Sequence, residues 1–176
     1  LPLSTDDLNL LHQAWSNAIN SPLTSAAGRL FDAAAVLIGL SHQVSYEGEA
    51  PSQLEAICQR QIDTQPPELP ITKDGDIYRS DWSPPIPMLL DTNSTQEERA
   101  MLFHNAMSEI IVSQSQLARE KFQVHHIGLT GGVFQNRLLT ELTKLKLQAL
   151  GFTVHLSKQV PPNDGGLCYG QIIEAL

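Results

Sequence analysis

Residues 126–137 read HIGLTGGVFQNR, and this segment gives the strongest indication of the fold. An apolar run ending at Leu129 meets a pair of glycines, and a helical pattern follows as far as Leu150. After Gly151, a second apolar run covers residues 152–156. A strand, a helix and a strand of these lengths predict a parallel β-α-β unit. Ligands of such folds gather at the carboxyl ends of the strands, so the glycine pair lies where a ligand is expected.

The rest of the chain reads mainly as helix. We predict helices from Ser4 or Thr5 to Asn20, from the Thr24-Ser25 cap to Gly39, from about Ala50 to Ile62, from Gln96 to about Lys121 behind a Thr95 cap, and from about Gly166 to Ala175. Residues 63–95 are rich in proline, and a turn at residues 73–76 between two short strand-like runs predicts a β-hairpin insertion. We therefore predict one mainly helical α/β domain over residues 1–176 that contains this insertion.

Composition narrows the classes of partner. With 176 residues and 41% apolar residues, the chain can bury a core of its own. The formal charge of -8 should repel polyanions, so free nucleic acid is not an expected partner. Both cysteines are read as reduced thiols of a cytoplasmic protein. A run of eighteen apolar residues does not occur, so we expect no membrane span.

The first candidate site is the glycine loop between the predicted strand and helix. Gly131 and Gly132 let the backbone approach a ligand, and they leave N–H groups unobstructed at the positive end of the helix that follows. A phosphate or an adenosine group fits that place. The alternative is a tight turn that needs glycine for its φ angles alone.

The second candidate is the segment at residues 161–166, which reads PPNDGG and follows the second predicted strand. Asp164 is held between prolines that fix the approach and glycines that free the exit, as a ligand of a hard cation or a contact of a nucleotide requires. The alternative is a helix cap, because Asn and Asp are favoured at that position.

The third candidate is a polar group at the head of an apolar helix. Gly28, Arg29 and Asp32 lie at neighbouring positions there, and Glu47 follows in the next loop. An aspartate can accept both hydroxyls of a ribose. The alternative is an Arg29–Asp32 surface pair of little energetic weight.

Other familiar signatures are missing from the sequence. His125 and His126 are consecutive, so in a strand they point to opposite faces and cannot chelate one metal together. The cysteines have no Cys-x-x-Cys partner, which disfavours a zinc site. A nucleophile elbow and a P-loop are both lacking. His104 is expected to be a packed or hydrogen-bonded residue.

Several of these segments together resemble one family. The segments are 21–33 (SPLTSAAGRLFDA), 45–48 (SYEG), 103–104 (FH), 131–136 (GGVFQN) and 162–166 (PNDGG). In order and spacing they resemble the C-terminal domain of the HypF carbamoyltransferases over nearly the whole chain.

The resemblance implies one lobe of a two-lobed, ribonuclease-H-like fold of the kind found in actin, sugar kinases and tRNA threonylcarbamoyl enzymes. It also implies a reaction in which ATP and carbamoyl phosphate give carbamoyl-adenylate, and the carbamoyl group then passes to a C-terminal cysteine of the partner HypE. By match to the family, Gly131, Gly132 and Asn136 would surround the nucleotide. Gly28, Arg29, Asp32 and Glu47 would face its ribose and adenine, and Asp164 would bind a divalent metal such as iron.

The sequence also departs from the family. It opens on Leu1 without an initiating Met, and it lacks the family's upstream His-x-x-x-His metal pair, its first lobe and the domains before that lobe. We therefore expect a truncated piece that binds nucleotide weakly, does not turn over alone and self-associates through the surface meant for the first lobe. Two rival interpretations stay open: a docking lobe without chemistry, and a relative of the tRNA-modifying enzymes.

Overall fold

A computed structural model describes residues 3–58, 62 and 64–175 of the chain. The helices in these residues are α1 (Thr5–Ser16), α2 (Ala27–Leu37), α3 (Glu49–Ala56), α4 (Ile86–Leu89), α5 (Gln96–Phe122), α6 (Arg137–Ala149) and α7 (Leu167–Glu174). The strands are β1 (Ile71–Asp74), β2 (Ile77–Ser80), β3 (His126–Leu129) and β4 (Thr153–Leu156). Among the described helices, none combines the length and the apolar character needed to cross a membrane.

The long helix α5 forms the centre of the molecule. Its start was predicted from Thr95, and a capping box is present there because Thr95 and Glu98 each accept a backbone N–H of the other. The ten residues 99–108 are all buried, because α2 and α4 pack on one part of α5 and α6 packs on another. The main apolar core joins α2, α3, α4, α5 and the start of α6, with Phe31 and Phe103 in edge-to-face contact.

The predicted β-α-β unit is confirmed. Strands β3 and β4 are parallel, with His126 opposite Thr153 and Leu129 opposite Leu156. Leu129 and Phe152 pack with Val112 of α5 and Leu147 of α6 in a second apolar cluster. Because the strands are parallel neighbours, the bends that follow them emerge at the same edge of the sheet.

The predicted hairpin is also present. Strands β1 and β2 pair antiparallel around a two-residue turn in which Gly75 has a φ of 60°. The hairpin contacts α5 through Gln114, whose Nε2 donates to Ser80 Oγ at 2.9 Å. Gly39 has a φ of 76° just after α2, as a glycine at that helix end should.

Two helix ends were predicted too far along the chain. The first helix ends at Ser16 and not at Asn20, because the Asn17 side chain donates to Gln13 O at 2.8 Å and Ala18 takes a left-handed φ of 54°. The third helix ends at Ala56 and not at Ile62, since Ile57 and Cys58 turn into the main core. Residues 59–61 of that prediction lie outside the described residues.

The apolar side chains of α1 lie on the surface of the described structure. Leu8, Leu11 and Trp15 are 48%, 56% and 68% exposed, and none of the α1 residues is buried. The side chains form a helical stripe as predicted, but nothing in the described part of the chain covers it.

Candidate functional site

A cavity of about 780 Å³ opens between the starts of α2 and α3 and the two bends that follow β3 and β4. We refer to residues 130–136 as the first bend and to residues 161–166 as the second bend. Cavities that hold small molecules have this size. The lining residues are Ala26, Ala27, Gly28, Arg29, Phe31, Glu47, Gly48, Pro51, Ser52, Glu55, Gly131, Gly132, Val133, Gln135, Asn136, Asn163, Asp164 and Gly165. Of the site residues predicted from the sequence, all except Asp32 border this one space.

The two bends contact each other directly. The backbone N–H of Gly131 donates to Pro162 O at 2.6 Å, and Thr130 Oγ1 donates to the same oxygen at 3.4 Å. The parallel pairing of β3 with β4 brings these segments to one edge of the sheet. Two separate stretches of sequence thus form one wall of the cavity.

The glycines of the bends serve different purposes. Gly131 has a φ of 105°, and a Cβ on Gly166 would lie 2.8 Å from Pro161 O, so backbone geometry alone requires glycine at both positions. The tight-turn alternative therefore explains Gly131. Gly132 has an ordinary φ. A Cβ added to it would lie 3.9 Å from its nearest neighbour, Asn163 Cβ. The backbone does not need glycine at 132, and the missing side chain leaves space in the cavity.

The start of α6 is occupied by the protein's own oxygen atoms. Asn136 Oδ1 accepts the N–H of Leu139 at 2.8 Å, and Glu55 Oε1, from α3, accepts the N–H of Leu138 at 3.0 Å. The expectation that this helix start is open to a phosphate is wrong for these two groups. The N–H groups of Gly132 and Val133 make no hydrogen bond within the described residues, as is usual at the start of a 3₁₀ turn.

Asn136 borders the cavity but is only 9% exposed. While its Oδ1 caps α6, its Nδ2 donates to Nε2 of the buried His104 at 2.9 Å. Both ends of the amide are therefore bonded within the protein. The role of Asn136 as a nucleotide contact stays a prediction, and its role as the cap of α6 is visible in the structure.

The polar group at the start of α2 is present as an ion-pair network. Arg29 lies 3.1 Å from Asp32 Oδ2 and 3.7 Å from Glu47 Oε1. The Arg29 side chain is 55% exposed, and solvent therefore weakens both pairs. Asp32 does not line the cavity and meets it only through Arg29, so its assignment to a ribose stays a prediction.

The second bend presents Asp164 to the cavity. The capping role that Asp164 could have taken belongs to its neighbour, because Asn163 Oδ1 accepts the N–H of Gly165 at 3.0 Å. The described residues contain no group of three or more His, Cys, Asp or Glu side chains placed to hold a metal ion. A metal at Asp164 would thus need most of its ligands from outside these residues.

Sequence reasoning missed one wall of the cavity. Ser52 and Glu55 line it from one face of α3, at positions i and i+3, and Gly48 lines it from the residue just before that helix. That helical spacing was the signal that could have identified them. Glu55 and Leu138, which it contacts, are 83 residues apart in the sequence, and local patterns cannot predict such a pair.

The fold is a mainly helical α/β lobe whose cavity lies at the carboxyl ends of two parallel strands. The chain belongs to the HypF carbamoyltransferase family. Residues 2–171 match the family described as carbamoyltransferase, Kae1-like domain, second subdomain.

Similar proteins agree with this family. The chain is 33% identical over 164 residues to carbamoyltransferase HypF of Synechocystis. The aligned residues cover 93% of this chain and 21% of that relative. It is 35% identical over 169 residues to the HypF of Rhodobacter capsulatus, and the aligned residues cover 95% of this chain and 22% of that relative. The chain thus spans about a fifth of the length of these relatives.

Solved structures confirm the predicted fold class, a mainly helical α/β lobe with a small parallel unit. A full-length HypF in the phosphate- and nucleotide-bound form matches with a TM-score of 0.91 at 30% identity, over 98% of this chain and 23% of that one. The HypF of T. kodakarensis matches with a TM-score of 0.80, over 99% of this chain and 23% of that one. At 24% identity, this second match shows the fold alone.

Proposed function

We propose that this chain is the lobe of a carbamoyltransferase that holds one side of an adenine nucleotide in the cavity between the two bends. The observation that carries the proposal is the contact of Gly131 with Pro162, which unites two distant glycine segments as one cavity wall. The similar full-length HypF whose described form is phosphate- and nucleotide-bound supports it.

In this proposal the glycines leave space for the nucleotide, and the polar residues bind and orient it. Gly28 and Gly132 leave space for the nucleotide, since an added Cβ on Gly28 would meet nothing within 4 Å. Arg29 offers a cation, and Asp32 and Glu47 keep its guanidinium at the cavity edge. Gly131 and Asn136 hold the first bend in place through their bonds to Pro162 and Leu139.

A divalent metal fits the second bend only as a shared ligand. The Asp164 carboxylate borders the cavity and can supply one oxygen ligand, while residues outside this chain would supply the others. A bound metal would act as a Lewis acid toward the charge that develops as AMP leaves.

The carbamoyl acceptor in this proposal is a cysteine of a partner resembling HypE, so the chain needs no nucleophile of its own. Burial raises the pKa of the Cys58 thiol to about 12, with a further contribution from Glu55. The thiol therefore stays protonated and unreactive at neutral pH. The cytoplasmic location expected from the sequence belongs to the same proposal.

A docking lobe without chemistry is the second candidate, and the uncovered stripe of α1 favours it. Leu11 and Trp15 are more than half exposed, as is typical of surfaces that meet another protein or domain. The tRNA-modifying alternative is disfavoured, because a chain with a formal charge of -8 should on average repel a polyanion such as RNA.

Reconstitution tests the proposal. The 176-residue chain is mixed with the separately produced upstream segments of the protein, the acceptor, ATP and carbamoyl phosphate, and mass spectrometry follows the acceptor's C-terminal cysteine. We expect a thiocarboxamide only when this chain is present. Transfer at the same rate without the chain would contradict the proposal, and binding of the upstream segments without transfer would support the docking lobe.

A further inference from the structure

A hydrogen-bond chain crosses the core from α5 to the first bend. His104 is fully buried on α5, and its Nδ1 lies 2.9 Å from Ala100 O. A carbonyl oxygen only accepts, so Nδ1 must carry the ring proton of this bond. The Nε2 atom lies 2.9 Å from Asn136 Nδ2, which can only donate, so Nε2 must be bare. The geometry therefore defines a neutral ring with its proton on Nδ1.

The orientation of the Asn136 amide is fixed independently. Its oxygen must face the N–H of Leu139, which donates at 2.8 Å, and so its nitrogen faces His104. Asn136 ends the first bend and begins α6, and its own N–H donates to Val133 O at 3.1 Å. A displacement of the Asn136 side chain would thus loosen the bend and the helix start together.

We propose that His104 is a positioning residue that holds the first bend against the cavity through Asn136, and that only the neutral ring with its proton on Nδ1 does so. The inference deepens the proposed function where it concerns the ligand of the cavity. The positioning itself is independent of which ligand binds.

The other groups around His104 agree with this role. Cys58 Sγ lies 3.4 Å from Nδ1 and is also 3.2 Å from Leu54 O, to which its thiol can donate. Glu55 is the carboxylate that acts on the ring, and the rings of Phe31 and Phe103 pack at its edges. A catalytic Cys58–His104 dyad is disfavoured, because Nδ1 already carries a proton and the thiol is not ionised.

Protonation of His104 would break the chain of bonds. A proton on Nε2 would face the Asn136 NH₂ group, and turning the amide to accept it would take Oδ1 away from Leu139. Burial lowers the pKa of His104, although Ala100 O and Glu55 oppose this shift. The stabilisation by the neutral ring is thus present above the ordinary value of 6.5 and is lost as the pH falls through the lower, folded-state pKa.

Hydrogen exchange of the Gly131 amide in the 176-residue chain measures how firmly the first bend is held in place, because this N–H donates to Pro162 O. We expect His104→Leu to speed this exchange about tenfold at neutral pH, and His104→Gln, which keeps one donor and one acceptor, to restore most of the protection. Ser115→Ala is the matched control, because it removes another buried bond to a carbonyl four residues earlier on α5. Equal exchange in His104→Leu and Ser115→Ala would overturn the proposal.

Asn136→Asp separates positioning from simple packing. An aspartate still accepts from Leu139 but can only accept from Nε2, so His104 should then carry both protons. We expect ¹⁵N spectra to show a bare Nε2 in the wild type and two protonated ring nitrogens in Asn136→Asp. The Gly131 amide should lose protection at low pH in the wild type and at high pH in the variant. An Nε2–H tautomer in the wild type, or the same pH profile in both proteins, would overturn the inference, and neither result depends on nucleotide binding.

Discussion

At the scale of single residues, the cavity is lined by glycines that the backbone does not require, and Gly132 of the first bend is one of them. Gly131 and Gly166 need to be glycine for conformation or for close approach, so their substitution would test folding and not ligand binding. Gly132 has an ordinary φ and room for a methyl group. Its conservative substitution therefore changes the space in the cavity while it keeps the first bend.

We expect Gly132→Ala to weaken AMP binding by about tenfold in the complete two-lobed domain, because the added methyl group occupies the path of the ligand. Isothermal titration gives the dissociation constant. Gly170→Ala on α7 is the matched control, since its Cβ would also meet nothing close and it does not line the cavity. Equal affinities in the two variants would show that the nucleotide does not approach Gly132.

The sequence predicted residue positions better than residue roles. That Gly131 and Asp164 would lie together followed from the order of strand, helix and strand, because parallel neighbours end at one edge. The bond between Asn136 and His104 could not be predicted, since His104 lies 32 residues earlier in the chain. Glu55 was missed for the same reason.

At the scale of the elements, helices α5 and α6 differ in how their first turns are capped. The capping box of α5 is local, because Thr95 and Glu98 are three residues apart, and the sequence predicted Thr95 as the cap. The start of α6 is closed by Asn136 and by Glu55 from α3, so its stability depends on tertiary contacts.

Cap removal should reveal this difference. We expect Thr95→Ala to lower the free energy of unfolding by about 1 kcal/mol, the usual value for a lost N-cap. Asn136→Ala should cost about 2–4 kcal/mol, because it also leaves the buried Nε2 of His104 without a donor. Urea unfolding followed by circular dichroism measures both. Equal losses would mean that the bond to His104 contributes no stability.

At the scale of the whole molecule, the chain has large apolar surfaces at both of its ends. The stripe of α1 is uncovered, and Tyr169, Ile172 and Ile173 of α7 are 45%, 61% and 53% exposed. The hydrophobic pattern predicted both helices, but it could not show that these apolar side chains stay exposed in the described structure. A chain that spans about a fifth of its relatives is expected to have such surfaces.

We propose that the two bends form one nucleotide site, and hydrogen–deuterium exchange of the complete two-lobed domain with and without AMP tests this claim. We predict that AMP slows exchange in residues 130–136 and in residues 161–166 together, while the β1–β2 hairpin is unchanged. Protection of only one bend, or protection confined to segments that do not line the cavity, would contradict the claim.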